Sequence, residues 1–129
     1  MGANVSHCLA SSKMDATLLS EIAAIEAKGT VLTLAAPGEM ADKAVKHTPK
    51  LELASGKVTI AVAHGMEEAH WINYIWAKDE AGAVIGAVKL AHTDTPTVTI
   101  DVPEGTKSVT AYESCNLHGV WATVATPVA

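Results

Sequence analysis

Thr97-Val98-Thr99-Ile100-Asp101-Val102-Pro103-Glu104-Gly105 is the stretch from which the fold can be read. Apolar and polar residues alternate through 97–102, the period of a strand with one buried face, and the following Pro-Glu-Gly run stops it with a turn. The same alternation stands upstream in 57–63, where Val58, Ile60 and Val62 share a face. Residues 71–78 favour extended backbone throughout. Residues 83–91 are apolar and contain Gly86, a candidate bulge. Segments 30–34, 107–113 and 120–125 bring the set to about seven short strands. That number, with turn residues between them, predicts an all-β antiparallel sandwich. A small closed barrel would carry the same pattern.

Toward the N-terminus the period changes. Leu18, Ile22 and Ile25 recur at helical spacing, Asp15 stands where an N-cap belongs, and Lys28-Gly29 follows as a stop, so 15–28 reads as a short helix. Residues 1–14 carry few structural signals and read as an irregular arm. Pro37 and Gly38 make 35–46 a loop, with room for one helical turn.

Composition narrows the function classes. A chain of 129 residues that is 49% hydrophobic and 18% charged is long and apolar enough for a core. Its net charge of −5 argues against nucleic acid and against a polybasic membrane contact as partners. No apolar run reaches the about eighteen residues of a spanning helix. No basic segment leading into an apolar one marks a secretory signal, so the cytoplasm is the expected compartment. Cys8 and Cys115 are the only cysteines, too few for a disulfide scaffold. In a reducing compartment a cysteine near histidines reads as a metal ligand or nucleophile.

The histidines carry the chemical information. In Cys115-Asn116-Leu117-His118-Gly119-Val120-Trp121 a thiol and an imidazole stand two residues apart in a turn that Gly119 permits, and backbone N–H groups can point at the sulfur. In His64-Gly65-Met66-Glu67-Glu68-Ala69-His70 two histidines bracket a loop between predicted strands. In Lys46-His47-Thr48-Pro49 a histidine precedes an extended X-Pro unit, with a cation beside it. Singly, each motif also fits ordinary surface histidines, and Glu67 and Glu68 read as a solvated loop tip. The combination and its order are the signal.

Together the three segments resemble superoxide reductase, the family that includes neelaredoxin and desulfoferrodoxin. Its pattern runs Lys-His-x-Pro, then His-x-Met with a second histidine four residues after the Met, then Cys-Asn-x-His-Gly-x-Trp. The resemblance covers about residues 43–125, and the last string is its most specific part. It implies an immunoglobulin-like β-sandwich over 43–129, preceded by an extension of residues 1–42 with the short helix. It implies a mononuclear non-haem iron with His47, His64, His70 and His118 as equatorial ligands and Cys115 as the axial thiolate, leaving one position open for superoxide. The implied activity is one-electron reduction of superoxide to hydrogen peroxide, with electrons from rubredoxin or a similar carrier. A homo-oligomer, a tetramer in many single-iron relatives, is implied as well. The alternative is a non-catalytic module holding zinc or iron. The donor types agree with a redox metal, because imidazole and thiolate suit iron, copper or zinc, and five protein ligands exceed a structural zinc site.

Lys46 is the candidate catalytic residue. The chain repels an anion globally, so attraction has to be local. Trp71 and Trp121 each follow a candidate ligand and are expected to pack around the site. Two departures from the family pattern stand out. Val45 occupies the position of a glutamate that many relatives carry, with Asp42 and Glu39 as nearby carboxylates, and Gly65 replaces a proline. The four-cysteine centre of some relatives cannot form with Cys8 as the lone cysteine before Cys115. His7-Cys8 and His92 are assigned no role.

Overall fold

The computed structural model describes residues 15–128, so the arm expected over 1–14 and the pair His7-Cys8 lie outside the described residues. Helix α1 spans Ala16–Ala27. Its start is chemical, because the Asp15 carboxylate accepts from the N–H groups of Thr17 and Leu18 at 2.7 and 3.3 Å. Its end is closed at Lys28, whose N–H donates to the Ile25 carbonyl. Strand β1 (Leu32–Thr33), a 3-10 turn (Ala41–Lys43) and a single helical turn, α2 (Ala44–His47), follow.

The further strands are β2 (Lys50–Ala54), β3 (Lys57–Ala61), β4 (Ile72–Asp79), β5 (Val84–Lys89), β6 (Thr97–Asp101), β7 (Ser108–Cys115), β8 (Gly119–Ala122) and β9 (Thr126–Pro127). Six of the longer strands, β3 to β8, fall on segments that the sequence marks as extended, and two more, β2 and β9, join them. One sheet has the order β2-β3-β6, and the other β1-β8-β7-β4-β5 with β9 beside β7. Val58, Ile60, Val98 and Ile100 from the first sheet meet Ile72, Ile75, Ala77, Val109 and Ala111 from the second in one buried core. The architecture is therefore the expected sandwich rather than a closed barrel, with seven strands of four residues or more and two of only two residues among the described residues. The pairing is antiparallel except at β1, which runs parallel to β8.

The opposite face of the larger sheet is covered by α1. Ile22 is buried there among Tyr74, Trp76, Ala87 and Val120, with Leu18 and Ile25 beside it. Full burial of one isoleucine contributes about 1.5–3 kcal/mol. Two carboxylates fasten the helix. Glu21 accepts from the Tyr74 hydroxyl at 2.8 Å, and Glu26 accepts from the Trp76 indole at 3.1 Å and pairs with Lys78 at 2.8 Å.

Two bulges re-aim β4. Ile72 pairs with Cys115 and Tyr74 with Ser114, so Asn73 is the extra residue at the end where the histidine loop enters. Farther along, Ala77 pairs with Gly86 and Lys78 with Val84, which makes Ile85 the extra residue, next to the glycine where a bulge was expected.

Candidate metal centre

Three connections meet at one end of the sandwich. They are α2 before β2, the 62–71 segment between β3 and β4, and the 115–119 turn between β7 and β8. Each contributes to one cluster. Ligand atoms of His47, His64, His70 and Cys115 all lie within 4.8 Å of one another. His118 joins them from the turn. Its Nδ1 is 3.2 Å from His47 Nε2 and 3.8 Å from the Cys115 sulfur. All five predicted ligands are thus brought to one place.

Local structure sets which atom each offers. His47 closes α2, and its Nδ1 lies 2.9 Å from the Lys43 carbonyl, so Nδ1–H donates there and Nε2 faces the cluster. His47 is the last residue of the one helical turn for which 35–46 had room, and that turn ends because Thr48, before Pro49, must be extended (φ −74°, ψ 122°). His64 donates from Nδ1 to the Gly65 carbonyl at 2.6 Å, which leaves its Nε2 3.1 Å from His70 Nε2 and 3.9 Å from the sulfur. The 115–119 turn needs Gly119, whose φ of +82° is left-handed.

Electrostatics favour the neutral form of three of the imidazoles. Burial lowers the pKa of His47, His64 and His118, and the neighbouring histidines lower it further. Burial raises that of the Cys115 thiol, and hydrogen bonds from the backbone N–H groups of Leu117 and His118 oppose it, as the spacing of the motif anticipated. His64 Nε2 and His70 Nε2 stand 3.1 Å apart, and His47 Nε2 and His118 Nδ1 3.2 Å apart. Two nitrogens each about 2.1 Å from a common ion, at right angles, stand about 3 Å apart. Spacing and donor set therefore both fit a first-row metal ion.

The cluster opens into a cleft of about 290 Å³ lined also by Lys43, Lys46 and Glu67. Lys46 is exposed, and its charge lowers the His64 pKa. Val45 points to solvent at 71% exposure. Asp42 pairs with Lys43 at 3.4 Å, and Glu39 is exposed. A larger cleft of about 470 Å³ lies on the outer face of the sheet, behind Cys115, lined by Lys28, Asn73, Ser114 and other groups. The four histidines line the smaller one, and Cys115 lines the larger.

Trp121 packs as expected. Its ring is 5.6 Å from that of His47, and its indole N–H donates to the His118 carbonyl at 3.0 Å. Trp71 does not match its expectation. Its indole donates to the Leu90 carbonyl and its ring faces His92, 6.4 Å away. Glu113 was not singled out from the sequence. It is fully buried two residues before Cys115 on the same face of β7, neither carboxyl oxygen has a hydrogen-bond partner, and burial raises its pKa well above the carboxylate range.

Fold and cluster define a class, the immunoglobulin-like β-sandwich with a histidine–cysteine cluster able to hold a metal ion. The family model described as Desulfoferrodoxin matches residues 39–124, and the chain belongs to that family. It is 42% identical over 79 residues to the desulfoferrodoxin of Nitratidesulfovibrio vulgaris and 35% identical over 79 residues to a desulfoferrodoxin homolog of Archaeoglobus fulgidus. Each match spans 59% of this chain and 60% of the relative's length. Among solved structures, the superoxide reductase (neelaredoxin) from Ignicoccus hospitalis aligns with a TM-score of 0.62 at 28% identity, over 77% of this chain and 95% of that one.

Proposed function

We propose that the protein is a superoxide reductase. Superoxide, one electron and two protons would become hydrogen peroxide, and His47, His64, His70, His118 and Cys115 would hold the mononuclear iron that supplies the electron. The observation that carries this reading is the convergence of those donors, four of them within a mutual 4.8 Å, with the four histidines lining a cleft bordered by two lysines. Iron bound there supplies one-electron redox chemistry, with the Cys115 thiolate raising its electron density.

The chain's own groups perform the remaining tasks. Lys46, on the cleft rim, draws the anion against the protein's net negative charge and holds the negative charge of the product. Its ammonium also orders water for proton delivery. Lys43 adds a second cation on the same rim and fixes His47 through its carbonyl. The cluster leans on Trp121, which limits water on the buried side. A small carrier of the rubredoxin kind returns the electron. A thiolate ligand requires a compartment that keeps Cys115 reduced.

Anaerobic iron loading tests the ligand set. The loaded chain is expected to hold iron stoichiometrically and, once oxidised, to show a visible thiolate-to-ferric charge-transfer band, which Cys115→Ser abolishes. Persistence of the band in Cys115→Ser would remove Cys115 as ligand. A colourless chain that prefers zinc would support the non-catalytic module instead.

A further inference from the structure

His70 lies on a segment with little structure of its own. Within 62–71, the internal backbone hydrogen bonds are His64 N–H to the Val62 carbonyl and a reciprocal pair between Glu67 and His70; beyond these, Val62 N–H donates to the Pro96 carbonyl and the Met66 sulfur accepts from the Ile72 N–H at 3.4 Å. A histidine on so loosely tied a segment would lose much conformational freedom on meeting a metal ion, and that cost weakens binding unless it is met in advance.

Asn116 meets it. Its side-chain carbonyl accepts from the Trp71 N–H at 2.8 Å, and its side-chain NH₂ donates to the Ala69 carbonyl at 3.0 Å. Its own backbone N–H donates to the Trp71 carbonyl at 3.1 Å. The amide therefore grips the residues on either side of His70, while its backbone stands directly after Cys115. One side chain ties the sulfur-bearing turn to the segment that carries His70. An amide suits the task because it offers a donor and an acceptor together. Asn116 is exposed, so directed bonds rather than packing account for its placement.

We propose that Asn116 is a positioning residue that fixes the separation of His70 from Cys115 before metal binds. This rests on reading the cluster as a metal centre, and the experiment separates the two. Cobalt(II) alone is titrated anaerobically into the metal-free full chain, following the thiolate-to-cobalt charge-transfer band, the ligand-field bands and the dissociation constant by competition. Wild type is expected to bind with the thiolate band; no binding would overturn the metal centre itself. Asn116→Ala is expected to keep the thiolate band, change the ligand-field bands as His70 disengages, and weaken binding by about tenfold to a hundredfold. Its metal-free unfolding midpoint is expected to stay near that of wild type, because no core contact is lost. Asn116→Asp keeps the bond from Trp71 and is expected to fall between the two; it carries the same test should the alanine variant not fold. Val124→Ala, at an exposed position after β8, is the control and is expected to bind as wild type. Unchanged affinity and spectrum in Asn116→Ala would overturn the proposal. So would an equal loss in Val124→Ala, or an affinity loss matched by a fall in metal-free stability.

Discussion

Lys46→Ala should lower the second-order rate with superoxide by roughly tenfold and flatten its dependence on ionic strength, because a rim cation acts on an approaching anion through a field that salt screens. Pulse kinetics at several salt concentrations measure both, and an unchanged rate and slope would remove Lys46 from the mechanism. The five donors and this lysine were legible as residues because each sits in a short motif with its own spacing. Glu113 was overlooked although a signal existed. On β7, Val109, Ala111, Glu113 and Cys115 occupy the same inward parity, so an acid stands where the alternation calls for an apolar residue. Asn116 was quoted within a motif but not credited, because the partners of its side chain lie on a segment more than forty residues upstream.

Among the elements, alternation located six of the longer strands and the helix. It could not give direction, so the parallel β1–β8 pair was invisible, since a period of two is the same either way along a strand. The edge strands β2 and β9 went unitemised, being half-exposed or two residues long. Nor did the sequence reveal how α1 is fastened. The Tyr74 hydroxyl, with Lys89 in support, holds Glu21 below the usual carboxylate pKa. A folded-state pKa below the unfolded one gives a contribution present above the unfolded value and lost as pH falls through the folded value. Stability should therefore fall on acidification in part through Glu21, and Glu21→Gln should show a shallower fall below the carboxylate range. Denaturant midpoints from neutral to acidic pH measure this, and identical slopes in the two chains would show that the contact does not titrate with folding.

At the scale of the molecule, the division of labour follows from the two faces of one sheet. The inner face joins β3 and β6 in a rigid core that ends at Cys115, and the outer face is closed by α1. The three connections at that end can then present histidines from distant parts of the chain to one point, because the strands that anchor them are paired into two sheets packed on one core. The net charge of −5 belongs to the whole surface and opposes the substrate, whereas the lysines belong to the cleft. The most direct measurement of the central claim is an anaerobic superoxide pulse onto the iron-loaded, reduced protein, with peroxide and dioxygen both quantified. A superoxide reductase yields peroxide mole for mole with superoxide, consumes its reducing equivalents and releases no dioxygen. Dioxygen appearing in half the amount of superoxide consumed, or superoxide decaying no faster than without protein, would contradict the account.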